Sequence, residues 1–184
     1  MLPPSPVNLV PPTPALAEQV LGWRNDPEVL RWFLTQQVDA AELREWFTTY
    51  DGKDGHLVVA TIEDVAVGSA SVRVSDGMGQ SGHETEFVAR EGWIAYTVDP
   101  AYAGRGVGTL LAEDALSNAF GRLGLRRVQA GCFADNVASW RVMEKLGMRR
   151  EQHGIRDSFH AELGWVDGYT YAILAEEWAS RGEV

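Results

Sequence analysis

Cysteine is nearly absent from this chain: Cys132 is the only one among 184 residues. No intrachain disulfide can form, which suits a reducing cytoplasm. Long hydrophobic runs are missing too, and nothing approaches the ~18 consecutive apolar residues of a membrane span. Positive charge is scarce: 16 Lys and Arg stand against 26 Asp and Glu, for a net charge of −10 at pH 7. That argues against nucleic acid as the main partner. It leaves two readings open, attraction of a cationic amine and a merely solvated acidic surface. The 4 histidines show no metal-ligand spacing, so no metal is expected. The N-terminus is rich in proline (Pro3, Pro4, Pro6, Pro11, Pro12, Pro14). It has neither a basic start nor an apolar core, so it does not read as a signal peptide. Residues 1–6 are expected to be an extended lead-in.

The composition is globular, 45% hydrophobic and 23% charged. The length predicts a single domain over 1–184 with a sizeable core. Val7–Val10 predicts a first short strand. Ala15–Trp23 and Pro27–Phe33 predict two short helices broken at Asn25-Asp26-Pro27, with Asp26 as cap and Pro27 at the first helical position. Asp39 caps a third helix reaching Tyr50. His56–Ile62 and Val65–Val74 predict a hairpin about Glu63-Asp64. Ser75–Gly82 reads as a polar loop, and Glu84–Val98 as one long, bulged strand. Val107, Leu110, Leu111, Ala115, Ala119 and Leu123 form one apolar helical stripe. Arg126–Phe133 alternates, with Val128, Ala130 and Cys132 on a core face. Asp135-Asn136 opens another helix, which Gly147 ends as a left-handed cap. Met148–Asp157 and Tyr169–Leu174 close the domain. Strands alternating with helices predict an α/β sandwich with a mixed sheet.

The richest stretch runs from Val98 to Leu111. An extended segment enters a turn with Gly104, Gly106 and Gly108 at alternate positions, and the turn opens a helix. Glycines let backbone approach a ligand closely. The helix start points free N–H groups and positive partial charge at the turn, a cradle for pyrophosphate. A nucleotide P-loop requires Gly-Lys-Ser/Thr, but Thr109 and Leu110 follow Gly108. A dinucleotide fingerprint requires glycine at the sixth position, where Thr109 stands. A glycine-rich turn without a ligand is the bland alternative.

What fits is Gly-Arg-Gly-x-Gly, Gly104 to Gly108 with Arg105 between the first two glycines, after a hydrophobic-x-Pro strand end. This resembles the acyl-CoA loop of the GNAT superfamily of N-acetyltransferases. About thirty residues on, Asn136-Val137-Ala138-Ser139, with a helix running into Leu146-Gly147-Met148, resembles the second signature of that superfamily. The Ser139 form, the Trp23-Arg24-Asn25-Asp26-Pro27 segment and Glu177-Trp178 resemble its RimJ/RimL-type branch, which includes ribosomal-protein N-terminal acetyltransferases. The resemblance implies a mixed, mostly antiparallel sheet flanked by helices. It implies acetyl-CoA as cofactor and direct transfer to a primary amine, either a peptide N-terminus or a small molecule, within a ternary complex. It also implies a homodimer as one possible assembly. The cofactor residues would be Thr97, Val98, Ala103, Gly104, Arg105, Gly106, Val107, Gly108, Thr109, Asn136 and Ser139. Ala103 departs from the Gln or Arg usual at that loop position. Arg141 and Lys145 are within possible reach of phosphates, with surface solvation as the alternative.

Many superfamily members carry a tyrosine where this chain has Met143, which cannot donate a proton. The Ser139 hydroxyl then becomes the candidate partner of the leaving sulfur, unless it bonds back to a helix carbonyl. Asn136 would cap the helix and touch the pantetheine arm; a cap alone would also explain it. An oxyanion contact is expected from backbone near Thr97 or Val98. The branch commonly carries Ala-Glu-Ile-Gly-Tyr on this strand, and here Trp93 stands in place of the glutamate, in Gly92-Trp93-Ile94-Ala95-Tyr96. Glu91 shares the Trp93 face by strand parity and is the candidate general base, with Glu86 and His83 behind it; solvated charge is the bland reading of each. An N-terminal amine of pKa ~8 needs little help from a base. Trp93 would wall the acceptor pocket, with Trp32 and Phe33 as a lid, although core packing is the default for any aromatic. Without the tyrosine and the glutamate, a catalytically silent acyl-CoA-binding module is the rival to an enzyme.

Overall fold

The computed structural model describes residues 6–181, so the lead-in expected at 1–6 lies outside it except for Pro6. Seven strands form one sheet in the order β1-β2-β3-β4-β5-β7-β6. They are β1 (Asn8–Val10), β2 (Gly55–Ile62), β3 (Val65–Ser75), β4 (Glu91–Val98), β5 (Arg127–Phe133), β6 (Arg149–His160) and β7 (Gly164–Leu174). Every pairing is antiparallel except β4 with β5. The hairpin turn falls at Glu63 and Asp64, both with positive φ, as their place between two alternating runs predicts.

Strand parity sends side chains to two opposite layers. On one face Val58, Ala70, Val72, Ile94, Val128, Ala130 and Tyr171 pack against α5 (Val107–Gly121) and α6 (Val137–Lys145). The buried side of α5 is Val107, Leu111, Ala112, Ala115, Leu116 and Ala119. The predicted stripe is therefore rotated: Leu110 and Leu123 lie half-buried at its edge. A Cβ on Gly68 would sit 2.8 Å from both Leu111 Cδ1 and the Thr97 carbonyl, so glycine there lets α5 approach the sheet. On the other face Leu57, Val59 and Ala66 meet α1 (Pro14–Arg24), α2 (Pro27–Leu30) and α3 (Ala40–Thr49). Fully burying a side chain such as Leu111 or Val59 stabilises the fold by about 1.5–3 kcal/mol.

Two predicted boundaries differ. Glu84–Val98 is not one strand: Glu84–Phe87 forms a short helix, α4, and Ala89 takes a φ of 53°. Asp76 Oδ1 accepts from the Ala89 N–H at 2.8 Å, and Gly77 N–H donates to the Phe87 carbonyl at 2.7 Å. These local bonds turn the chain before β4 begins, and β4 pairs with β3 without a bulge. The closing hairpin is longer than expected. β6 is an almost wholly exposed edge strand with little apolar alternation to read, and it carries a bulge around Arg156.

Candidate functional site

Strands β4 and β5 pair only at Glu91↔Arg127, Gly92↔Val128 and Trp93↔Gln129. Beyond Trp93 they diverge, and α5 and α6 lie over the sheet on that side. Asp99 N–H donates to the Val67 carbonyl at 2.9 Å. Antiparallel alternation then directs the N–H and C=O groups of Thr97, Ala95 and Trp93 to β3, and those of Ile94, Tyr96 and Val98 into the opening. Val98 thus keeps the direction expected of an oxyanion donor. The Thr97 backbone does not, and its side chain faces the α1–α3 layer.

At the wide end the chain builds an anion cradle. Asp99 accepts from Ala101 N–H at 3.0 Å and starts a 3-10 turn, Pro100–Tyr102. The Ala103 N–H closes that turn on the Pro100 carbonyl at 3.1 Å, so the expected Ala103 contribution is already committed. Gly104 and Gly106 take φ values of 73° and 84°, a region that disfavours a Cβ. A Cβ at either would meet no protein atom within 4 Å, so the space over both is open to a ligand. Gly106 caps α5 without a side chain. The first α5 bond is Leu110 N–H to the Gly106 carbonyl, which leaves the N–H groups of Gly106, Val107, Gly108 and Thr109 without helical acceptors. No acidic residue occupies that first turn, and the Arg105 guanidinium lies over the Tyr102 ring at 5.1 Å. Four free N–H groups, a helix dipole and an arginine fit a pyrophosphate.

Inside the opening, Asn136 Oδ1 accepts from Ser139 N–H at 3.2 Å, which is the expected cap. The Ser139 hydroxyl meets the Tyr96 hydroxyl at 3.1 Å, and the Tyr96 O–H donates to the Ser139 carbonyl at 2.9 Å. Burial pushes the Tyr96 phenol well above its usual range and the Cys132 thiol up to about 11, so both carry their protons at neutral pH. The family pattern points to α6 for a proton donor, where Met143 is buried, whereas Tyr96 belongs to β4. Its signal was parity: Tyr96 alternates with Ile94 and Val98. Arg141 lies over Trp140, and Lys145 is exposed.

Two adjoining cavities lie on the opposite face. The larger, about 940 Å³, is walled by Trp32, Trp46, Tyr50 and Trp93 and edged by Arg73. The smaller, about 380 Å³, takes in Arg24, Phe33, Ser69 and Thr97. Both include Thr35, Trp46, Ser71 and Ala95. Trp32 and Phe33 thus line different chambers. Trp32 is steadied by His160 at 5.4 Å between ring centroids, and its neighbour Arg31 pairs with Glu162 at 3.2 Å.

Residues 7–149 match the family model described as an acetyltransferase (GNAT) domain. The chain belongs to the GNAT family. Two Bacillus subtilis proteins that carry N-acetyltransferase names are similar: YnaD, 38% identical over 85 residues, and YjcK, 36% over 83. The match to YnaD spans 46% of this chain and 49% of the relative, and that to YjcK 45% of each. The chain thus matches about half the length of either. Among solved structures, a GNAT-family acetyltransferase from Bacillus anthracis superposes with a TM-score of 0.71 at 23% identity, covering 95% of this chain and 98% of that one. Salmonella typhimurium yncA, solved with acetyl-CoA, gives 0.75 at 20%, covering 92% and 94%. A spermidine N-acetyltransferase chimera of Vibrio cholerae SpeG gives 0.74 at 15%, covering 95% and 99%. These likenesses extend the GNAT fold over nearly the whole chain.

In this GNAT fold Glu91 is not placed as a base. It sits at the closed end of β4, away from the cradle, and is 6% exposed. Arg126 and Arg127 hold its two oxygens at 2.7 and 2.9 Å, and Gln129 lies at 3.3 Å. Both of its oxygens are taken up by these contacts, at the end of β4 away from the opening. His83 and Glu86 are exposed at α4 and line neither cavity. Trp93 does line the larger cavity, against Gly131.

Proposed function

We propose that this protein transfers an acetyl group from acetyl-CoA directly to a primary amine within a ternary complex. The observation that carries this reading is the β4–β5 opening, which ends at the free N–H groups of α5. When bound, acetyl-CoA supplies a thioester carbon open to attack and a thiol leaving group. The N–H groups of Val107, Gly108 and Thr109, with Arg105, hold the pyrophosphate. Asn136 and Ser139 border the arm of the cofactor. The Val98 N–H faces the opening as an oxyanion donor, and the paired hydroxyls of Tyr96 and Ser139 hold a proton beside it. Positioning and such a backbone contact can supply most of the acceleration, and a neutral N-terminal amine needs no strong base.

The acceptor enters through the two cavities on the far face, with Trp32, Phe33 and Trp93 as walls. The RimJ/RimL-type branch is the favoured placement, supported by the Asn136-x-x-Ser139 form and by Trp23–Pro27. We take residues 1–184 as one domain acting in the cytoplasm; among the described residues no helix is long and apolar enough to cross a membrane. One observation favours a second reading, a catalytically silent acyl-CoA-binding module: the only acidic candidate on β4, Glu91, is clamped by two arginines.

Thermal shifts with acetyl-CoA, CoA, ATP and NAD test the cradle. A ligand at a hundredfold excess over Kd stabilises by ~2.7 kcal/mol, and the shift is expected for acetyl-CoA and CoA alone. No shift with either removes the reading. CoA release is then followed on a peptide panel and a small-amine panel. Binding without release on both selects the silent module.

A further inference from the structure

Arg24 closes α1, inside the Trp23-Arg24-Asn25-Asp26-Pro27 segment, and its charge has no counterpart. Its Nη1 is sealed from solvent and meets no hydrogen-bond acceptor. Among the described residues no carboxylate pairs with it. The guanidinium carbon lies over the Phe33 ring, 3.7 Å from its centroid. Loss of solvent alone lowers its pKa to about 10. Arg127, by contrast, is 17% exposed and bonded to both Glu91 and Glu151. The acids near Arg24 do not neutralise it. Asp39 lines the same chamber but accepts from Ala41 and Glu42 N–H at the start of α3. Glu42 also lines it and forms no ion pair with Arg24. The C-terminal dipole of α1 offers only about half a unit of negative charge.

A guanidinium taken partly out of water without an anion is costly, and a ligand anion removes that cost. Arg24 lines the smaller cavity together with three hydroxyl-bearing residues, Ser69, Ser71 and Thr97, beside Ala95 and Tyr96 of β4. Tyr96 crosses to the opening on the other face. The chamber thus offers a planar fork of donors and three hydroxyls next to the strand that borders the reacting centre. We propose that Arg24 binds a carboxylate of the acceptor, so that the acceptor is an α-amino acid or another amine bearing a carboxylate near the reacting nitrogen. This rests on the acetyl-transfer reading above. The fork matches a carboxylate bidentately. A polyamine would instead bring a second positive charge against Arg24. The wide aromatic chamber next door accepts the rest of an acceptor, so an aromatic amino acid is the natural probe.

The test compares phenylalanine, phenylalaninamide and phenethylamine on the wild-type protein and on Arg24→Gln and Arg24→Lys. Acetyl-CoA affinity, binding of each amine and CoA release are measured separately. The expected result is at least about a tenfold preference in kcat/KM for phenylalanine, the scale of one charge-assisted pair. Arg24→Gln erases the preference, Arg24→Lys keeps part of it, and acetyl-CoA affinity is unchanged in both. Equal use of the amide and the decarboxylated amine by the wild-type protein overturns the assignment, and that arm needs no variant to fold. Weaker acetyl-CoA binding in Arg24→Gln overturns it too, because Arg24 would then serve the cofactor. If acetyl-CoA binds but no amine is turned over, the transfer reading fails. The carboxylate site then stands or falls on whether phenylalanine binds the wild-type protein more tightly than phenethylamine does, and loses that advantage in Arg24→Gln.

Discussion

At its Glu91 end β4 is hydrogen-bonded to a strand on each side, and its one charged side chain is met by Arg126, Arg127 and Gln129. At its Val98 end β4 is bonded on one side only, and the other side looks into an opening that leads to four free N–H groups on α5. The same strand therefore closes the sheet at one end and leaves it incomplete at the other. Satisfied polar groups hold the molecule together, whereas unsatisfied ones mark where a second molecule belongs. Arg127, paired with Glu91 and Glu151, and Arg24, with no ion pair among the described residues, repeat the contrast.

The largest expected effect lies at the closed end. Glu91→Ala leaves two arginines without their shared carboxylate, and breaking a largely buried pair of this kind costs about 3 kcal/mol. Half of Arg126 is exposed, which brings the expectation to roughly 2–3 kcal/mol by urea denaturation at pH 7. Acetyl transfer per folded molecule is expected to stay unchanged at low temperature. A variant that keeps its stability but loses turnover would return Glu91 to the chemistry and end the contrast.

At the open end the effects reverse. Tyr96→Phe is expected to lower kcat about tenfold or more, to change stability by no more than ~1 kcal/mol, and to leave acetyl-CoA affinity as it was. Ser139→Ala is expected to do the same, and the double variant to lose less than the product of the two, since both hydroxyls belong to one pair. Multiplicative losses would separate them and leave Ser139 to act alone.

The cradle was legible in the sequence because its requirements are local: alternate glycines, a strand before them, a helix after. The Asn136 cap, the Gly147 stop and the Glu63-Asp64 hairpin were legible for the same reason. Glu91 was misread because parity reports which face a side chain shares and says nothing of what arrives from the next strand. Arg126 and Arg127 lie 35 and 36 residues away in the chain. Tyr96 was missed for the converse reason, since its meaning depends on α6 crossing 43 residues later. The 84–90 segment was read as strand because Asp76 and Gly77, whose bonds bend it, come from the end of β3.

The smallest effect sharpens the comparison most directly, because Cys132 reports how dry the open end is. Its thiol packs on the α5–α6 face beside Ser139, and burial raises its pKa from 9.0 to about 11, against a smaller lowering by the Ser139 hydroxyl. Only the thiolate is alkylated, so iodoacetamide at pH 8 is expected to react about a hundredfold more slowly than with an unperturbed thiol. Ser139→Ala removes a bond that favours the thiolate, so labelling should slow further. The linkage has the matching sign. Below pH 9 the thiol is neutral in both folded and unfolded chains. Between pH 9 and about 11 the unfolded chain ionises first, so the folded state loses stability as pH rises. Labelling as fast as that of a free thiol would mean that water fills the opening beside β5. The same water would relax the shift on Tyr96, and the proton held between Tyr96 and Ser139 would exchange with solvent rather than wait at the reacting centre.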